Sequence, residues 1–93
     1  MKMEFEWDEN KNAENYRKHG IWFKEAVKAF DDPNGVELLD EEHSNSELRY
    51  QLIAMADGTI VLGVFTERIN AIRLISVRGA NRQEVEIYYG RER

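Results

Sequence analysis

The chain has 93 residues, 42% hydrophobic and 11% aromatic, enough for one compact domain spanning residues 1–93 and too few for two cores. It contains no cysteine, which excludes a disulfide framework and thiolate metal sites and makes the cytoplasm the expected location. A formal net charge of -5 argues against a non-specific grip on nucleic acid, so any basic site has to be local.

The opening MKMEFEWDENK carries no apolar run of the signal-peptide kind, and no window approaches the ~18 apolar residues of a membrane span. Met1, Met3, Phe5 and Trp7 alternate with polar residues and predict a first strand. The strand ends at Asp8, a suitable N-cap for a helix running to Lys18 or His19, and Gly20 fits as the residue that closes that helix. Phe23, Ala26, Val27 and Phe30 recur at helical spacing and predict a second helix with one buried stripe, closed by DDPNG. The acidic stretch Asp40 to Glu47 is expected to be a solvated loop.

ELRYQLIAMA and TIVLGVFTE are strand-like runs joined by Asp57-Gly58, a strong signal for a two-residue hairpin turn. Counting outward from that turn sets Ala56 opposite Thr59, Met55 opposite Ile60, Gln51 opposite Val64, Arg49 opposite Thr66 and Glu47 opposite Arg68. A second hairpin turning at Ile69-Asn70 sets Arg68 opposite Ala71 and Thr66 opposite Arg73. Arg49, Thr66 and Arg73 then form a row across three strands spaced about 4.8 Å apart, with Glu47 and Arg68 in the next row on the same face. Ile53, Met55, Ile60, Leu62, Val64, Ile75 and Val77 continue that face, while Tyr50, Leu52, Val61, Phe65, Ile72 and Leu74 occupy the other. A last helix is predicted to start at Asn81, with Glu84 completing a capping box and Val85 and Tyr88 turned inward.

These residues carry a family resemblance. FEWD at 5–8, Lys11, Asn15 with Lys18 to Gly20, Phe23 with Glu25 and Ala26, Asp32-Pro33, the spacing of His43, Ser44, Glu47 and Arg49, Thr66 with Arg68, and Arg73 to Arg78 together resemble the BrnT family of type II toxins. The resemblance covers almost the whole chain and lies in the order and spacing of the motifs. It implies a single RelE-like α+β domain, an antiparallel sheet packed with N-terminal helices and a C-terminal helix. It also implies a metal-independent endoribonuclease that blocks growth by cutting RNA. Its implied partner is a BrnA-like ribbon-helix-helix antitoxin, two copies of each forming the assembly, with operator DNA reached only through the antitoxin. Three features depart from the family pattern: IAMA stands where an Ile-Gly pair is common, ISVR stands in place of ISAR, and the net charge is low for ribonuclease toxins of this fold.

Metal-free RNA cleavage uses the substrate's own 2′-hydroxyl as nucleophile, so the protein needs a base, an acid and cations around the phosphoryl group, and no cofactor. Arginine suits the last task because its fork matches phosphate oxygens and stays charged; Arg49, Arg68, Arg73 and Arg78 are the candidates. In the register above Arg78 points to the opposite face, and a bulge or a different turn is needed to bring it in. His19 is the candidate base or acid, although a histidine in a last helical turn also serves simply to favour the dipole. Lys11 lies two turns earlier and projects from a similar side, as would a solvated lysine. Glu67 is a candidate base that faces away from Thr66 and Arg68 and serves equally as a surface ion-pair partner. Trp7 is a stacking candidate that also suits the core, and Thr66 a phosphate contact that also suits a strand. His43 and Ser44 have no metal-ligand or hydrolase pattern around them and read as loop. Two functions follow: a ribonuclease toxin, or a catalytically silent module whose basic patch docks a partner.

Overall fold

The computed structural model describes residues 3–91. One five-stranded sheet is built from β1 (Glu4–Glu6), β2 (Val36–Leu39), β3 (Tyr50–Ala56), β4 (Thr59–Arg68) and β5 (Ala71–Gly79), in the order β1-β5-β4-β3-β2. All neighbours are antiparallel except β1 and β5, which run parallel with Phe5 opposite Ile72. The fold is therefore α+β, as expected, with one parallel pair. Met1 of the predicted first strand lies outside the described residues.

Helix α1 (Glu9–His19) begins where Asp8 accepts hydrogen bonds from the amides of Asn10 and Lys11, and ends at Gly20 with φ 72°. Both caps match the sequence expectation. The second helix is shorter than predicted: α2 (Phe23–Ala26) makes one α-helical turn, and Val27–Asp31 continues as a 3-10 segment. The following proline explains the stop, because Pro33 drives Asp32 out of the helical region to ψ 113°. The buried stripe survives the change, with Phe23, Ala26 and Ala29 in the core and Phe30 against it. β2 was not expected. Its side chains are mostly exposed, so it lacks the alternation that betrays a half-buried strand, and pairing with β3 alone defines it.

The first hairpin has the predicted register from Ala56 opposite Thr59 to Gln51 opposite Val64. Asp57 at φ 50° and Gly58 at φ 82° supply the two left-handed positions that the tight turn needs. The second hairpin also pairs as predicted at Arg68 with Ala71 and Thr66 with Arg73. Its turn spares Ile69 a positive φ, since Asp57 is the one non-glycine residue with that conformation among those described.

Further along, the predicted alternation fails. Phe65 faces Leu74 but Val64 faces Ser76, so Ile75 is an extra residue in β5 and every later side chain of that strand changes face. Val77 moves into the core of Phe23, Ala26, Leu52, Ala54, Val61, Phe65 and Leu74 beneath α1 and α2. Arg78 moves the other way, opposite Leu62, onto the face of Arg73 and Thr66. Helix α3 (Arg82–Tyr88) packs against β3; Asn81 and Glu84 form the expected capping box, while Val85 and Tyr88 are half-buried rather than enclosed.

Candidate functional site

Three arginines share one sheet face because of the hairpin register and the bulge. Row by row, Arg68 lies opposite Ala71, Thr66 opposite Arg73, Val64 opposite Ser76 and Leu62 opposite Arg78. Glu6 of β1 is level with Arg73 and completes its row. Thr66 is 1% exposed and its hydroxyl accepts a hydrogen bond from Arg68 Nη1 at 2.9 Å, so it positions that guanidinium from beneath. Arg49 lies one residue ahead of β3, its backbone tied to the preceding loop through Ser44 and Asp40. It takes part in none of the ion pairs of the described residues.

Each of the three arginines meets a carboxylate. Arg68 Nη1 reaches Glu47 at 2.6 Å and Arg73 Nη1 reaches Glu6 at 3.0 Å. Arg78 binds Glu84 with both forks, at 2.9 and 2.8 Å. Only the first of these pairs is visible in the sequence register; Glu6 and Glu84 come from elements whose placement the sequence does not define. Burial works against ionised Glu84, but the Arg78 guanidinium and the Asn81 amide outweigh it and hold the carboxyl below the usual range. The same pair raises Arg78 further.

A second basic group lies along the open edge of β5. β1 pairs with β5 only as far as Arg73, leaving the outer edge beyond it without a strand. Asn15 of α1 takes that place: its Nδ2 donates to Val77 O at 2.8 Å and to Ile21 O at 3.0 Å, and its Oδ1 accepts from Val77 N at 3.0 Å. Lys11 and His19 stand four residues to either side of Asn15, on the same stripe of the helix. Fastening Asn15 therefore fixes both beside β5. Lys11, Glu14, Asn15, Lys18 and His19 line one groove with Ile75 and Ser76, the bulged residue and the one that follows it on the arginine face.

The remaining predicted residues lie elsewhere. Trp7 is half-buried, edge-on to Phe23 at 5.9 Å, and its Nε1 donates to Glu9 at 3.0 Å. Glu67 is exposed on the opposite face, as the register implied. His43 is held by Asp40 at 3.1 Å within the loop. Asn15 and Ser76 fall within the motifs that carry the resemblance but had no site role assigned from the sequence; a polar residue at the centre of the Lys11–His19 stripe was the available signal for the first, and the second depends on the bulge.

A family model described as "Ribonuclease toxin, BrnT, of type II toxin-antitoxin system" matches residues 7–84. The chain belongs to this family. No curated protein sequence matches it. The matched span takes in Lys11 and His19 on α1 as well as Arg49, Thr66, Arg68, Arg73 and Arg78 on the sheet. BrnT membership makes the chain a toxin of a type II toxin-antitoxin system, with ribonuclease activity at the level of the family and an antitoxin as partner. Among the described residues no helix is long and apolar enough to cross a membrane.

Proposed function

We propose that this BrnT-family toxin cleaves RNA without a metal ion, on the sheet face of Arg68, Arg73 and Arg78 and the adjoining groove of Lys11 and His19. The observation that carries this reading is the bulge at Ile75, which turns Arg78 and Ser76 to the face of Arg73 while Ser76 also lines the Lys11–His19 groove. A phosphate seated over Ser76 has guanidiniums on both sides and a histidine and a lysine at its edge.

In the reaction the 2′-oxygen forms a bond to the phosphorus, its proton passes to the base, and the P–O5′ bond breaks as O5′ takes a proton from the acid. His19 holds one of these proton positions. Lys11 and the arginines oppose the charge that accumulates on the phosphoryl oxygens. Arg49, at the other end of the face, extends the basic track for the strand. Trp7 and Glu67, directed elsewhere, have no part in this step. The antitoxin in this reading is a BrnA-like ribbon-helix-helix protein that contacts the operator, in an assembly of two toxins and two antitoxins.

The test is induced expression without antitoxin, comparing wild type with Arg73→Ala at matched soluble levels, together with purified-protein cleavage in EDTA. Growth arrest and cleavage that persist in EDTA and leave a 2′,3′-cyclic phosphate are expected for wild type. Arg73→Ala is expected to lower the cleavage rate by about 10²-fold or more, the scale seen when one preorganised charge-stabilising donor is removed. The three carboxylates already bound to the arginines favour a second reading, a silent docking module. Intact RNA and normal growth from folded wild type would establish that reading instead.

A further inference from the structure

We propose that Glu6 and Glu47 are built-in competitors of the phosphate, occupying the guanidiniums of Arg73 and Arg68 so that a polyanion must exchange with them to bind. This rests on the reading of the arginine face as the RNA site and concerns how that site is regulated.

The three ion pairs on this face are not equivalent. Glu84 is 15% exposed, bonded through both oxygens to Arg78, and also caps α3 through the Asn81 amide. Releasing it would expose a half-buried guanidinium and uncap a helix, so this pair is structural. Glu6 and Glu47 are 45% and 40% exposed, their partners 35% and 40%, and each pair closes through one guanidinium nitrogen. No other hydrogen bond of either glutamate side chain is recorded among the described residues, so nothing besides the arginine holds them in place. Exposed pairs of this kind are weak, and a phosphate offers the same guanidinium two oxygens in bidentate geometry. Exchange therefore favours a nucleic-acid strand that engages Arg68 and Arg73 together, while a single small anion gains little. The arrangement accommodates arginines on a chain of net charge -5: Arg68 and Arg73 are neutralised when the face is empty and become available only where their carboxylates swing away.

The experiment measures binding of a short 2′-deoxy single-stranded oligonucleotide, which lacks the nucleophile and cannot be cut by this chemistry, to wild type, Glu6→Gln, Glu47→Gln and Glu37→Gln. Glu37 is exposed on β2, on the other face of the sheet, and its variant changes net charge equally. Glu6→Gln and Glu47→Gln are expected to bind about two- to five-fold tighter than wild type, and Glu37→Gln much less. The gain from Glu6→Gln should vanish in an Arg73→Ala background, which assigns it to that pair. Binding by Glu6→Gln and Glu47→Gln no tighter than by Glu37→Gln, including no binding by any of them, overturns the proposal. Tighter binding by the variants without RNA cleavage by wild type would leave the competitors in place and remove the nuclease reading alone.

Discussion

Asn15 shows how one amide can do the work of a strand. It is 6% exposed and gives a donor and an acceptor to Val77, closing the backbone groups of β5 where β1 has ended. Asn15→Ala would leave the Val77 N–H and C=O without partners in a buried position, at a cost of about 2–4 kcal/mol in urea unfolding. It should also reduce cleavage in material that remains folded, because Lys11 and His19 lose their anchor. Asn15→Asp keeps the acceptor for Val77 N and loses the donor, setting a carboxylate against two carbonyls; its loss of stability should shrink in acid as the aspartate protonates. The sequence displayed the amide and the stripe it belongs to. It could not display the partner, which is 62 positions away and is a main-chain group with no residue preference.

The informative differences among elements concern β5 and α3. Both hairpin turns and most of the strand pairing followed from Asp57-Gly58 and from alternation, since the two hairpins are local and their side chains declare which face is apolar. The bulge was not legible because Ile75 and Val77 are apolar and Ser76 is small, so the pattern suits either face until the packing of Val77 beneath α1 decides. Val77→Ala should accordingly cost about 2 kcal/mol, whereas Ser76→Ala should leave stability nearly unchanged and weaken phosphate binding. Helix α3 is joined to the rest by the Arg78–Glu84 pair and by the Tyr88 hydroxyl, which donates to Asp32 at 2.6 Å. The Tyr88 hydroxyl and the amides of Met55 and Asn34 hold the Asp32 carboxyl below its ordinary value, and Glu84 is lowered as well. Groups with depressed folded values stabilise the protein above the unfolded carboxylate range of about 4 and lose that contribution as pH falls through the folded values. Near-ultraviolet circular dichroism should report loosening of the Tyr88 and Tyr89 environment in acid before the sheet unfolds. In Glu84→Gln, stability at neutral pH should be lower and its decline in acid smaller.

At the scale of the molecule, net acidity is compatible with the proposed RNA site because Arg68, Arg73 and Arg78 share one sheet face and Lys11 and His19 adjoin its edge, whatever the charge of the rest. Binding of single-stranded RNA through Arg68 and Arg73, the two guanidiniums whose carboxylates exchange, implies about two phosphate contacts, so affinity should fall about two- to threefold for each doubling of salt. Titration of the oligonucleotide at several ionic strengths checks this, and Arg73→Ala should flatten the slope by about one contact. Composition and charge pattern left room for a local positive patch within a negative whole. They left Glu6 unassigned because its meeting with Arg73 requires β1 to lie parallel against β5, a choice of partner strand that alternation alone does not make.

The parallel pairing also orders events during synthesis. Of the five strands of this sheet β1 is made before the others, and it waits for β5, the last of the five, before it has a neighbour. Arg73, Ser76 and Arg78 emerge at that late stage too. A chain whose translation stops within β4 lacks Arg68, Arg73 and Arg78 and the edge that Asn15 closes. In the proposed reading, a toxin assembled in this order has no complete RNA site until its own message has been read almost to the end of the sheet.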